Sequence, residues 1–280
     1  MNRITKILLS IVIIALLGFF LGVPYYEDII TKDKIDQLKN EKLKATVSIA
    51  FKSNAFAKLP FSVRNYLRAT IKNNSVSPLI SHISIAGKMR TSPESDWVKA
   101  ESTIHYSTTT PGFIEILKIF EYLPVWFQTD NTFINNTATT KTKLLSSIPI
   151  NNFAGNKLNR SFIVLYLMES VFSPTVLLPD MNVQWRRVNN SSARANVWSE
   201  NLKGSAIFHF NTKNEVTKIV STDRYLAGKL DYTKETFTIH LANYKDIGDY
   251  YIPTYFELQW NLAGNDFTFG RFQITDISYE

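Results

Sequence analysis

The chain has no cysteine among its 280 residues, which excludes disulfides, thiolate zinc sites and cysteine nucleophiles. Glycine is scarce as well: the 10 glycines form no G-x-G-x-x-G, no Walker A loop and no G-x-S-x-G elbow. The sequence therefore lacks the usual signatures of a nucleotide-binding protein or a serine hydrolase, and we predict that it is not an enzyme.

Histidine and clustered charge are also sparse. The four histidines (His82, His105, His209 and His240) stand singly in predicted strands, without an H-E-x-x-H motif, so the sequence predicts no metal site. The net charge of +7 is dispersed, with no run of five or six like charges. We therefore predict no nucleic-acid partner, and nothing in the sequence requires a cofactor.

An apolar run at the N-terminus, Ile7–Val23, follows Arg3 and Lys6. A spanning helix needs about 17–25 apolar residues, whereas the core of a signal peptide has about 7–15. A cut after Gly22 would place the bulky Phe20 where a small residue is needed. We therefore expect an uncleaved, single-pass membrane anchor, with the globular part on the non-cytoplasmic side. A cleaved signal peptide and a buried core helix are the alternatives.

The chain divides into three parts by composition. Residues 1–25 are the membrane anchor or signal peptide, residues 26–45 form a polar juxtamembrane linker, and residues 46–280 form a single β-rich globular domain. The linker is charged with sparse isoleucine and leucine, which is typical of a solvated helix or stalk. No repeat or change in composition indicates a second folded domain.

The segment Asn159–Trp185 is the one strongly apolar stretch outside the N-terminus. Its apolar residues lie three and four apart, and this spacing predicts a helix over residues 159–172 that covers a sheet. Pro174 ends the helix, because proline cannot donate a backbone hydrogen bond. A shorter apolar stripe predicts a second helix over residues 60–70.

From Leu79 onward the apolar period changes from 3.6 to 2, which predicts a meander of about nine to eleven antiparallel strands. Phe113–Phe120 is apolar on both faces, so both sides of this strand should be covered. Asn151–Asn156 is predicted to be a loop, and Ala45–Ala57 has weak strand character. Pro253 within a strand predicts an edge position or a bulge.

Four charged residues stand among apolar ones and are candidates for a site. Glu169 lies on the predicted central helix, and Arg194 is flanked by alanines in a strand. Asp223 and Arg224 are adjacent in another strand, so their side chains should point to opposite faces. A buried charge needs a partner, so we expect Arg194 to pair with Asp223 or Glu169. Such pairs either fix the helix to the sheet or form a polar cluster at a cavity mouth, where a head group or peptide would bind.

Apolar and aromatic residues supply the rest of the candidate site. Core packing and the lining of a concave apolar cavity use the same residue types, so both interpretations stand at this point. The complete candidate ligand-binding set is Phe162, Leu165, Tyr166, Glu169, Arg194, Phe208, Phe210, Asp223, Arg224 and Trp260.

Short motifs recur in order from about Leu59 to the C-terminus. They read LPxxVxxYL, PTxLLP, W, ARA, DRY, IP and W, and they begin at Leu59, Pro174, Trp185, Ala193, Asp223, Ile252 and Trp260. In these motifs the chain resembles an uncharacterised, mainly bacterial family known as a domain of unknown function. The resemblance brings no established activity. It implies a fold similar to that of the outer-membrane lipoprotein carriers, which hold acyl chains. Asn135-Asn136 stand where a glycine-rich turn is expected.

We therefore predict an α+β fold: a strongly curved antiparallel half-barrel with helices packed on its concave face, plus one N-terminal transmembrane helix. The predicted function is that of a membrane-anchored envelope protein that binds a lipid, an acyl chain or a lipidated partner in an apolar half-barrel. One alternative is a non-catalytic envelope scaffold or interaction protein without a ligand cavity. A third is a hydrolase with Glu169 or Asp223 as acid or base.

Overall fold

One antiparallel sheet of 13 strands makes up most of the computed structural model, which describes residues 2–40, 53–72, 77–122, 124–179, 182–227 and 232–280. The strands are β1 (Ile80–Met89), β2 (Val98–Ser107), β3 (Phe113–Tyr122), β4 (Val125–Ile134), β5 (Thr137–Leu144), β6 (Ile148–Ala154), β7 (Val183–Arg187), β8 (Ser192–Ser199), β9 (Leu202–Phe210), β10 (Val216–Ala227), β11 (Tyr232–Ile247), β12 (Tyr250–Leu262) and β13 (Asn265–Tyr279). The helices are α1 (Arg3–Asn40), α2 (Asn54–Ala57), α3 (Phe61–Thr70) and α4 (Asn156–Glu169), with 3-10 turns at Ser170–Phe172 and Pro174–Leu177.

The order across the sheet is β6-β5-β4-β3-β2-β1-β13-β12-β11-β10-β9-β8-β7. Helix α4 contacts β8, β9 and β10 near one end of this order and β4, β5 and β6 at the other end. The sheet must therefore curl around α4. The rings of Phe153 in β6 and Tyr232 in β11 accordingly lie 6.3 Å apart. The predicted curved antiparallel sheet, with a helix on its concave face, is confirmed.

Two close contacts hold α4 in the half-barrel. A Cβ on Gly204 of β9 would lie 2.5 Å from Cγ2 of Val164, so glycine lets the helix approach the sheet. On the other side, the rings of Tyr106 and Tyr166 are stacked 4.6 Å apart. The hydroxyl of Tyr106 donates a hydrogen bond to the carbonyl oxygen of Tyr166. The hydroxyl of Tyr166 donates one to the carbonyl oxygen of Ser107 at 3.0 Å. The predicted helices over residues 159–172 and 60–70 correspond to α4 with its 3-10 extension and to α3.

The end of α1 covers the outer face of the sheet. Leu38 is buried against Ile80, Ile114 and Ile134. Ile114 faces α1, while its neighbour Phe113 lies in the main core. Both sides of β3 are therefore covered, as the apolar pattern of this strand predicts.

Helix α1 contains the segment for which a transmembrane helix is predicted. It joins the apolar segment Ile7–Val23 to the charged residues that follow in one helix of 38 residues. Among the residues that the structure describes, no helix is both long and apolar enough to cross a membrane.

The seam between β1 and β13 joins the first and last strands of the sheet. Gly87 pairs with Phe272 across this seam. A Cβ on Gly87 would overlap the carbonyl oxygen of Arg271, so only glycine permits this backbone approach. The amide of Glu280 also donates to the carbonyl of Ile80 at 2.9 Å, which extends the seam to the last residue.

Two local predictions are wrong. Strand β6 lies where the sequence pattern predicts a loop over Asn151–Asn156. Its side chains are all exposed, so an apolar alternation could not reveal it. In the segment Ala45–Ala57, Asn54–Ala57 forms the short helix α2 instead of a strand, and residues 45–52 lie outside the described residues.

Two local features agree with their residue types. Asn135 and Asn136 connect β4 and β5 with φ angles of 50° and 59°, values that asparagine tolerates in a two-residue hairpin. Pro253 lies beyond the end of the pairing between β12 and β13, which begins with Tyr255 and Gln273. Its missing amide breaks no ladder bond on that side. Strand β12 is an inner strand, however, and Pro253 pairs with Tyr244 of β11, so the proline is not on an edge strand.

Candidate functional site

Arg224 is a charged side chain inside the half-barrel. The register of β10 shifts between Ser221 and Arg224, so that both side chains are buried on the inner face, and only 9% of Arg224 is exposed. Its Nη1 donates to the carbonyl oxygen of Ser161 on α4 at 2.8 Å. The guanidinium lies over the rings of Phe237, at 4.9 Å, and Trp260, at 5.8 Å. These cation–π contacts fix the arginine in place and offset part of its desolvation.

The hydrogen bonding of Arg224 is incomplete. Its Nε is buried and has no hydrogen-bond partner. Within the described residues, no carboxylate oxygen of Glu115 or Glu169 comes within 4.0 Å of the guanidinium. Burial lowers the pKa of Arg224 to about 10, while the charges of Glu169 and then Glu115 act to raise it. The arginine therefore has two nearby carboxyl groups but no direct ion pair with either.

The two glutamates come from separate elements, Glu115 from β3 and Glu169 from the end of α4. Ser102 and Asn131 donate to the two carboxyl oxygens of Glu115 at 3.0 and 2.8 Å. Burial raises the pKa of Glu115 despite these bonds and the charge of Arg224. Burial, together with the charge of Glu115, raises the pKa of Glu169 well above its ordinary value, and Arg224 acts against this shift. Glu169 is the group that is more easily kept neutral.

Glu115 and Glu169 lie deep in the molecule, and each keeps some accessible surface. Beyond Arg224, β10 runs toward one end of the half-barrel. The hairpins β1–β2, β3–β4, β10–β11 and β12–β13 all end on this side. Their inward apolar side chains pack against the core but are only partly buried. We call the following residues the open rim: Met89, Leu117, Ile119, Leu226, Leu262 and Phe267.

Most of the candidate site residues from the sequence are core residues. The buried ones are Phe162, Leu165, Tyr166, Phe208, Phe210 and Trp260. Phe162 packs against Phe113 and Phe133 at ring distances of 5.2 and 6.4 Å, so the space beneath the middle of α4 is filled. Of these six residues, Trp260 is the one whose ring contacts Arg224.

Sequence reasoning missed Glu115 as a member of the site. The one sequence feature that could have indicated Glu115 is its position as an acidic residue within the apolar strand Phe113–Phe120. The alternation of β3 places it on the inner face with Phe113, but its approach to Glu169 and Arg224 depends on the curl of the sheet. No spacing in the sequence contains that information.

Among the described residues, Arg194 does not form the expected direct pair with Asp223 or Glu169. Ala193 and Ala195 are the buried residues of β8, and Arg194 between them is exposed on the outer face. Its Nη1 donates to Oγ of Ser205 at 3.2 Å, and this hydroxyl donates to Asp223 at 3.0 Å. Lys234 forms the direct ion pair with Asp223, at 2.8 Å. Arg194 and Asp223 are thus on the face opposite to Arg224.

A double-mutant cycle on stability should show this separation. Replacement of Arg194 and Glu169 by alanine should be additive, because the two side chains lie on opposite faces of the sheet. The pair Asp223 and Lys234 should couple by about 0.2–1 kcal/mol, as exposed ion pairs do. Chemical unfolding of the four proteins in each cycle measures both coupling free energies. Coupling above about 0.5 kcal/mol between Arg194 and Glu169 would contradict the observed placement.

A polar groove of about 840 Å³ lies on the outer face of β7–β10. Outward residues of these strands line it, next to Arg160 from α4. Its charged and aromatic lining includes Arg160, Arg186, Trp198, Lys203, Asp223 and Lys234. Asp223 and Tyr225, which line the groove, lie on the face of β10 opposite to Arg224.

Two of the histidines meet on the outer face. His82 and His105 are opposite each other in β1 and β2, with their Nδ1 atoms 2.7 Å apart. Burial lowers the pKa of His105 to about 4, and the charges of His82 and Lys39 add to this effect. Over the described ranges of the chain, no group of three or more ligating side chains could hold a metal ion.

Comparisons with known proteins cover most of the chain. A family model described as "Family of unknown function (DUF6544)" matches residues 50–272, and no curated protein matches. Among solved structures, a DUF1329 family protein from Desulfovibrio piger is 7% identical, with a TM-score of 0.43 over 78% of this chain and 92% of that one. A LolA superfamily protein from Nitrosomonas europaea is 7% identical, with a TM-score of 0.34 over the same shares, 78% and 92%. A β-barrel-like DUF1849 protein from Brucella abortus is 9% identical, with a TM-score of 0.25 over 74% and 100%.

Proposed function

The chain belongs to DUF6544, a family of unknown function, and on this premise we propose that it binds the acyl chain of a lipid or of a lipidated partner inside the half-barrel. One observation carries the proposal: the partly buried apolar side chains of the open rim lie above the incompletely bonded Arg224. An apolar space with a few polar groups at its base is the usual form of a small-ligand site. The proposed role is binding, without catalysis.

The energetics favour an apolar ligand at the open rim. Apolar surface left in contact with water costs roughly 25 cal/mol per Å², so a chain that covers these side chains would be stabilised. Leu117 and Ile119 lie on β3, whereas Leu226 and Leu262 lie on β10 and β12, on the other side of the seam between β1 and β13. Such a ligand would complete the core that α4 fills only in part.

Photocrosslinking of the full chain in membranes tests the proposal. The probe is a fatty acid with a photoactivatable diazirine near its methyl end, supplied to cells that make the protein. We expect crosslinked peptides from β3, β10 and β12, which carry Leu117, Leu226 and Leu262 of the open rim. Crosslinks confined to α1 or to the outer face of the sheet would contradict an interior site.

A pair of tryptophan variants controls this experiment. Leu117→Trp should lower the crosslink yield severalfold, because the larger ring occupies part of the interior. Ile150→Trp is the matched control, since Ile150 is 46% exposed on the edge strand β6 and should leave the yield unchanged. An equal loss in both variants would show that the crosslinks do not report the interior.

Membrane attachment outside the cytoplasm is part of the same proposal. Ile7, Ile11 and Ile14 of α1 are exposed, and a row of exposed apolar side chains favours contact with an apolar phase. Additional crosslinks on α1 would report this contact. Labelling of intact cells with a membrane-impermeant amine reagent reports the side on which the β-rich part lies.

A second candidate function is that of an envelope scaffold. The observation in its favour is the outer groove, whose lining combines four basic side chains with Trp198. A groove of this kind suits an acidic segment of another protein. Failure of the interior crosslinks would make this function the leading one.

A further inference from the structure

Arg224 has an unused donor inside the half-barrel. A buried donor without a partner costs free energy that folding must offset, so such groups are uncommon unless a ligand or water satisfies them. The other bond of its guanidinium, to Ser161, and its two ring contacts hold the group in a fixed direction. The guanidinium is therefore held in a fixed direction inside the half-barrel, with its Nε–H unbonded.

The surrounding acidic groups do not use this donor. Glu115 already accepts hydrogen bonds from Ser102 and Asn131, and both glutamates stay beyond 4.0 Å of the guanidinium. Burial holds the pKa of Glu169 well above its ordinary value, which favours its neutral form. A protonated Glu169 becomes a hydrogen-bond donor and leaves Arg224 without a full counter-charge. The remaining titratable groups nearby, Tyr106 and Tyr166, have pKa values raised by burial and are neutral.

We propose that the acyl ligand ends in a carboxylate, which the buried guanidinium of Arg224 binds. This inference rests on the proposed function and adds the chemical class of the head group. A carboxylate would satisfy the free donor and supply the missing counter-charge in one contact. Its apolar chain would extend from Arg224 along Trp260 toward Leu226 and Leu262 at the open rim. The ligand class is therefore a fatty acid, in preference to an alcohol or an amine of the same length.

Competition with the interior photocrosslink tests the head group. Three unlabelled probes of equal chain length are used on the full chain: dodecanoate, 1-dodecanol and dodecylamine. Hydrogen bonds to a charged partner are strong enough that dodecanoate should compete at a concentration about 10-fold lower than dodecanol. Arg224→Met keeps the volume of the side chain and should remove this preference. Arg194→Met, on the outer face, is the matched control and should retain it.

The outcomes separate this inference from the proposed function. Equal competition by acid and alcohol, with the interior crosslink intact, would overturn the carboxylate while the acyl site stands. Dodecylamine as the best competitor would also overturn it, because the glutamates would then recognise the head group. Absence of any interior crosslink would refute the acyl site itself. If Arg224→Met fails to fold in a thermal melt, the ranking of the three probes on the unchanged protein decides the question alone.

Discussion

Replacement of Gly87 by alanine should destabilise the protein by about 3 kcal/mol, since the new methyl group has no room at the seam between β1 and β13. A Cβ at this position would overlap the carbonyl oxygen of Arg271 and lie 2.8 Å from Cα of Phe272. Both atoms belong to the backbone of β13, so no side chain can rotate away. Either strand must shift, and the ladder that joins the two halves of the sheet would weaken. Urea unfolding of the full chain, followed by tryptophan fluorescence, measures the change.

Gly18→Ala provides the control for this prediction. A Cβ on Gly18 would meet nothing within 4 Å, and alanine is the better helix former by about 1 kcal/mol. Its unfolding midpoint should therefore be unchanged or higher. A Gly87→Ala midpoint equal to that of the unchanged protein would mean that β1 and β13 do not approach as closely as the structure places them.

Replacement of Leu165 by alanine should cost about 2–5 kcal/mol, because the change leaves a cavity between α4 and the sheet. Leu165 is 8% exposed and belongs to the main core. Arg160→Ala, on an exposed position of the same helix, should change stability by no more than about 0.5 kcal/mol. Chemical unfolding of both variants measures the difference. If the Leu165→Ala and Arg160→Ala variants had the same unfolding midpoint, α4 would lie at the periphery, and its role as the covering helix would be contradicted.

The central helix and the two faces of β10 could be predicted from the sequence. The spacing of Phe162, Leu165 and Tyr166 follows the helical period, and the alternation of a strand places Asp223 and Arg224 on opposite faces. The alternation of a strand does not show, however, which of its two faces lies toward the core. The alanines that flank Arg194 are the residues that face the core, so Arg194 itself lies outside and needs no buried partner.

The site itself could not be assembled from the sequence. Glu115 and Arg224 lie on β3 and β10, which are far apart in the order of the sheet, and only its curl brings them near each other. Strand β6 could not be predicted for a different reason. It pairs at the edge with both faces exposed, so no burial pattern constrains its residue types.

The pairing of the first strand with the last also determines when the interior can form during synthesis. Ser84 and Thr275, which are hydrogen-bonded across the seam, are separated by 191 residues. Contacts this distant in sequence form late, and a growing chain cannot make them until its C-terminal strand has left the ribosome. Until then, β1 presents an unpaired edge and α4 has only part of its sheet. Glu115 and Arg224 belong to the two halves that this step joins, so their cluster can form only after β13 has been synthesised.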